Sequence, residues 1–206
     1  MKKNLQHIPC LLLCLVMAFI AVGCHDDDGT DNTPDANLDG NLYSGYLMVK
    51  FATPTFISNL QSIITPDELY YDGGLHNGLE DESHVTLAHK LNRNTSLGLL
   101  QSYLMPLSAY TATLTSVIMF DNAADYDVLV AEVESEQFMT TNNLIMQNVD
   151  NGQNFSYIPH MTIAYLKKGC AQKYLSTQPT APIEMSPQTF FYSITDENGQ
   201  RQTTYF

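Results

Sequence analysis

Two short segments of the 206-residue chain share one pattern: residues 84–87 read His-Val-Thr-Leu, and residues 160–163 read His-Met-Thr-Ile. Side chains alternate between the faces of a β-strand, so His84 and Thr86 project to one side while Val85 and Leu87 project to the other. The same alternation sets His160 and Thr162 against Met161 and Ile163. A polar face backed by an aliphatic one is ordinary for a half-exposed strand. Its recurrence 76 residues later, again after an acidic or aromatic loop, points instead to two strands lining one polar cleft. Histidine titrates near pH 6.5, so each imidazole can accept a proton or give one up near neutrality. Two of them in one cleft can serve as general base and general acid.

The surrounding sequence supplies the elements that hold these residues. Residues 43–51 are aromatic and aliphatic and read as a strand. Thr53 then resembles an N-cap with Pro54 at the first helical position, opening a helix through Phe56, Leu60 and Ile63 or Ile64. Residues 70–83 are rich in acids, glycine and asparagine and read as a loop. Residues 84–88 form the next strand, and Asn94 or Thr95 caps a helix to about Met105. Residues 110–120 and 126–134 read as neighbouring strands joined at Asp121-Asn122, and Ser135 opens a helix to about Val149. After a polar turn at 150–154 come a strand over 157–166, a short helix near 172–175 and a terminal hairpin around Asn198-Gly199. Strands and helices interleave, yet some strands follow one another directly. An α+β sandwich or split barrel fits this better than a doubly wound sheet.

On the two histidine motifs the chain resembles the two-histidine (2H) phosphoesterase superfamily, which includes 2′-5′ RNA ligase-like proteins and cyclic nucleotide phosphodiesterases. The likeness is densest at Glu80-Asp81-Glu82-Ser83-His84-Val85-Thr86-Leu87 and at Tyr157-Ile158-Pro159-His160-Met161-Thr162-Ile163-Ala164-Tyr165-Leu166, and extends over most of 42–206. Ser83 stands where many members carry proline, and Ala88-His89 replaces a more aromatic stretch. The resemblance implies a bilobal α+β fold, with two pseudo-twofold-related antiparallel sheets flanked by helices around a central cleft. It implies a metal-independent phosphodiesterase acting on a 2′,3′-cyclic nucleotide, a 2′-5′ linkage or a cyclic oligonucleotide. His84 and His160 would be acid and base in an order the sequence leaves open. Thr86 and Thr162 would donate hydrogen bonds to the non-bridging phosphate oxygens.

Further candidates surround the motifs. Lys90 is a substrate-binding candidate, and Arg93, Lys167 and Lys168 could likewise meet a second phosphate or stay solvated. Tyr157, Tyr165 and Tyr71 offer ring faces on which a nucleobase can stack, or else belong to core or rim. His76, His89, Asp72 and Asp81 lack a metal-ligand spacing such as HExxH and read as loop residues, so no metal and no cofactor is expected. Cys170 reads as a small buried or half-buried residue.

The N-terminus carries Lys2 and Lys3, an apolar run from Ile8 to Val22, and then Gly23-Cys24. This has the layout of a secretory signal, and Ala21-Val22-Gly23-Cys24 resembles a bacterial lipobox. The expected organisation is a lipoprotein signal peptide over 1–23, a flexible acidic tether over 24–41 and one catalytic domain over 42–206. Lipid on Cys24 would hold the protein to the bacterial cell envelope, at the outer membrane or cell surface. Net charge is −13, and residues 42–206 hold 16 acidic against 7 basic residues. Double-stranded nucleic acid, bound mainly through cations on phosphates, is a poor partner for such a surface. A small nucleotide or an oligonucleotide end, met by a monomer, fits better. The alternative is a non-catalytic surface lipoprotein that uses the same fold to bind a nucleotide or partner, against which the intact His and Thr pairs speak.

Overall fold

The structure, a computed structural model, describes residues 42–73, 78–121, 125–154, 156–196 and 198–206. The expected leader and tether, His76 and the turn residue Asn122 lie outside the described residues. The chain runs β1 (Gly45–Phe51), α1 (Thr55–Ser62), β2 (His84–Leu91), α2 (Leu97–Ser102), β3 (Ala112–Phe120), β4 (Tyr126–Glu134), α3 (Glu136–Asn148), β5 (His160–Lys167), β6 (Ile183–Met185), β7 (Pro187–Thr195) and β8 (Arg201–Tyr205). The strands form two four-stranded sheets, β2-β1-β7-β8 and β5-β4-β3-β6, antiparallel throughout. The histidine strands β2 and β5 are edge strands that touch each other, so the two sheets meet as two lobes along that seam. This is the bilobal α+β architecture that the motifs imply.

Local chemistry accounts for where the elements start and stop. Pro54 occupies the N-cap of α1 rather than its first turn, because its ψ of 140° is extended. Ser96, not Asn94 or Thr95, caps α2, its Oγ accepting from Leu99 N at 3.2 Å. Ser135 caps α3 by accepting from Phe138 N at 3.2 Å. β5 begins at His160 rather than at 157, since Pro159 has no N–H for the ladder, although its carbonyl still accepts from Val133 N. The short strand β6 was not expected from the sequence; three residues carry too little alternation to register.

Register matters most at the histidine strands. In β5, Leu129 faces Ala164 and Val130 faces Thr162, which leaves Ile163 as an extra residue, a β-bulge. In β2, Leu47 faces Ala88 and Met48 faces Thr86, which leaves Leu87 as the matching bulge. The carbonyls of both bulged residues are satisfied from the opposite lobe. Asn142 Nδ2 of α3 donates to Leu87 O at 2.8 Å, and Gln61 Nε2 of α1 donates to Ile163 O at 3.0 Å. Each helix follows the central strand of one sheet and clamps the edge strand of the other.

The outward faces of both sheets and the helices share one core. Val85 and Leu87 from β2, Met161 and Ile163 from β5, Leu60 from α1 and Phe138 from α3 all belong to it. Met48, Phe191, Val128 and Val130 are also buried but stand apart from that cluster, alternating along their strands with its members. They form an apolar floor on the same sheet faces as the histidines and threonines.

Candidate active site

His84 and His160 are set in the same way by separate stretches of chain. Each imidazole is fixed through Nδ1 by a carbonyl two residues earlier, Glu82 O at 2.9 Å and Ile158 O at 2.7 Å. A carbonyl oxygen only accepts, so Nδ1 carries the proton in both rings and Nε2 is left to do chemistry. Each ring also meets an aromatic edge-on: His84 with Phe191 at 5.9 Å between centroids and 80°, His160 with Phe120 at 4.8 Å and 90°. Both histidines and both threonines are half-buried, alternating with fully buried neighbours, as the strand period predicts. Among the described residues neither threonine hydroxyl makes a hydrogen bond, so both can donate to a ligand.

The electrostatics of the pair are unequal. Burial holds His160 below the usual histidine pKa, more than the Ile158 carbonyl raises it, and charge on His84 lowers it further. The strand neighbours also differ. Lys50 stands across from His84 on β1 and is ion-paired with Glu82. Glu132 stands across from His160 on β4, where Ser116 Oγ donates to it at 2.7 Å. Sequence reasoning missed both, although Lys50 is the one charge inside an apolar strand run, a readable sign of a functional face; Glu132 shares its strand with Asp127 and Glu134 and stands out less.

The bulges decide what else joins the site. Without them Tyr165, three residues after Thr162, would point into the core. The extra residue at Ile163 returns it to the histidine face, paired with Val128. There its ring meets Tyr126 at 6.1 Å, and Tyr126 stacks on Tyr70 at 4.8 Å. His89 is the equivalent residue of β2. Read from sequence as a loop residue, it lies within the strand, which continues to Leu91, and its ring is 6.0 Å from Tyr46. Burial, with Lys90 and His160 adding to it, brings His89 down to about 4.

Other candidates fall outside this set. Lys90 has a left-handed backbone (φ 52°), its carbonyl accepts from Gly152 N, and its β-carbon faces Gly152. Tyr157 packs against the main core with its hydroxyl buried, which pushes the phenol up from its ordinary value. Lys168 pairs with Asp121 and Asp127, and Lys167 Nζ donates to Asp67 O at 2.6 Å. Tyr71 is exposed and Cys170 half-buried. Among the described residues no group of three or more His, Cys, Asp or Glu side chains is arranged to hold a metal ion.

No protein-family model matches the chain, and no curated protein matches it. Among solved structures it is similar to Usb1 of Kluyveromyces marxianus, with a TM-score of 0.49 and 8% identity over 80% of this chain and 98% of that one. The same protein solved with uridine monophosphate gives a TM-score of 0.48 at 8% identity, with the same coverage. TT0787 of Thermus thermophilus gives 0.47 at 18% identity, over 79% of this chain and 94% of that one. At such identities the likeness is one of chain path.

Proposed function

We propose that the protein is a metal-independent phosphodiesterase that opens or hydrolyses a small nucleotide phosphodiester, held to the cell envelope by lipid on Cys24. The observation that carries this reading is the paired geometry: two imidazoles on touching edge strands, each with Nδ1–H given to a backbone carbonyl and each followed by a threonine on the same face. Opening a cyclic phosphate by water needs a proton taken from the water and one given to the departing sugar oxygen. His160, kept neutral by burial, takes the water proton on Nε2 as the new P–O bond forms. His84, in the role of acid, gives a proton from Nε2 to the sugar oxygen as the old P–O bond breaks. Thr86 and Thr162 donate to the non-bridging oxygens, where negative charge grows. The reverse reaction exchanges the two histidine roles. Tyr165 would take a nucleobase, backed by Tyr126 and Tyr70.

The test is turnover of 2′,3′-cyclic nucleotides, 2′-5′-linked dinucleotides and cyclic oligonucleotides by the wild type, with and without EDTA. A bell-shaped pH profile, with its acidic limb below pH 6.5 because His160 lies below its ordinary value, is expected to persist under chelator. Tight binding without turnover across the panel would favour the non-catalytic binding module. For the anchor, Cys24→Ala should abolish incorporation of labelled fatty acid and release the protein from membranes; an unchanged membrane fraction would sink the lipoprotein reading.

A further inference from the structure

The outer strands of the two sheets differ. β8 flanks β7 in one sheet, and β6 flanks β3 in the other. β6 has three residues, and its one charge is Glu184. β8 carries Arg201 and Tyr205, both exposed. The register sets them on the histidine face. Thr86, Met48, Phe191 and Tyr205 form one row across the sheet, and further along β7 Ser193 pairs with Thr203 and Thr195 with Arg201. Tyr205 stacks on Phe191 at 5.4 Å and 28°, and Phe191 in turn meets the His84 ring edge-on. Arg201 leans back over β7, its Nε donating to the buried Ser193 Oγ at 2.7 Å. Ser193 also shares a hydrogen bond with Thr203 at 3.1 Å and stands across from Tyr46. The guanidinium is thus held through Nε with both terminal nitrogens left over, and among the described residues no carboxylate pairs with it.

Ser193 lies two strands from β2 and one two-residue step along from the row of Thr86, about 12 Å from that threonine at ordinary strand spacing. Neighbouring phosphates of a strand stand closer together than this, and the next but one reaches it. We propose that β8 forms a second binding subsite, in which Arg201, held on Ser193, takes a phosphate two linkages from the one cleaved, and Tyr205 stacks a base of the stretch between. The substrate is then a single strand with at least three phosphates, the first at the histidines and the third on Arg201. It lies over β1 and β7 and leaves the cleft by this lobe alone, since the outer strand of the other lobe offers Glu184 instead. This rests on the phosphodiesterase reading and adds to it a site outside the cleft.

The experiment measures kcat/KM, and the affinity of fluorescently labelled strands, for oligonucleotides of increasing length that carry the cleaved linkage at one end, in either orientation. In one orientation only, kcat/KM should rise about tenfold when the third phosphate is added. Arg201→Gln should remove that rise and lower the log–log salt slope for the longer strand by about 0.7, the share of one phosphate contact on a single strand. Arg201→Lys should restore part of the rise, and Tyr205→Ala should cost the longer strand about tenfold. Both residues are exposed on an outer strand, so each variant should melt with the wild type. Turnover that does not depend on length would overturn the subsite and leave the phosphodiesterase reading standing. A rise that Lys90→Ala removes and Arg201→Gln keeps would assign the phosphate to Lys90 and overturn it too. Binding that strengthens with the third phosphate through Arg201, without turnover of any strand, would support the subsite and sink the phosphodiesterase reading. Neither turnover nor length-dependent binding would overturn both.

Discussion

The two lobes differ less in what they build than in what surrounds it. Both place histidine and threonine on an edge strand, bulge at the next residue, and have that bulge clamped by an amide from the other lobe's helix. Both fix Nδ1 on a carbonyl two residues back. Yet the first lobe sets an ion-paired lysine and a buried histidine around its motif, and the second a carboxylate and a tyrosine cluster. The shared scaffold makes two equivalent imidazoles. Their unequal surroundings make the two imidazoles chemically distinguishable, which is the basis on which the proposed mechanism assigns one as base and the other as acid.

The largest effect should come from breaking the equivalence outright. His84→Ala and His160→Ala should each lower kcat by about 10³-fold, each removing one proton transfer, with the circular dichroism spectrum and melting unchanged. Retained activity in either variant would sink the two-histidine mechanism. If the roles are as assigned, His160→Ala should chiefly erase the acidic limb of the pH profile and His84→Ala the basic one.

Next in size is an asymmetry in acid stability. His89 sits at about 4 in the fold against about 6.5 when unfolded, so the unfolded chain binds its proton first as pH falls. Stability is whole above pH 6.5 and is lost toward pH 4, by about 3 kcal/mol from this residue, with His160 adding in the same sense. Urea titrations at pH 7 and 4.5 should show the loss in wild type and much less of it in His89→Phe. An equal loss in that variant would place the acid sensitivity elsewhere.

The threonines sharpen the comparison at the phosphate. Thr86→Val and Thr162→Val should each cost about 10²-fold in kcat with little change in KM, since each removes one donor to growing charge. A rise in KM alone would show that they hold the ground state only.

The helix clamps give the smallest expected difference. Asn142→Ala strands the Leu87 carbonyl in a buried place and should cost about 2 kcal/mol. Gln61→Ala should cost about 1 kcal/mol, because the Ile163 carbonyl keeps its bond from Glu80 N at 3.1 Å. Chemical denaturation of both variants measures the gap, and the reverse order would mean that the clamps are not equivalent devices.

Much of this was legible in the chain. Strand alternation alone put His84 with Thr86 and His160 with Thr162, and the pattern of β-branched runs, Ser135 and Asn198-Gly199 located most elements to within a few residues. Tyr165 and His89 show where alternation stops being a guide. Counting by twos assigns each to the core face, and His89 was lost further because the strand reads as ending at Ala88. Lys50 was visible as a lone charge in an apolar strand and Glu132 as one of three acids in its own, but which strand each would lie against was not.

By itself, then, the sequence determined the two motifs, the faces they share and the class of chemistry open to them, because strand period and side-chain type are local properties. Only the tertiary structure decided that both strands bulge after the threonine, that His89 and Tyr165 return to the cleft, and that one histidine faces a lysine and the other a glutamate. A bulge persists where its displaced carbonyl finds a donor, and here those donors lie on helices 55 and 102 residues away in the chain, Asn142 for Leu87 and Gln61 for Ile163. No window of local sequence contains both partners, so the register of the site is a product of the folded lobes holding each other.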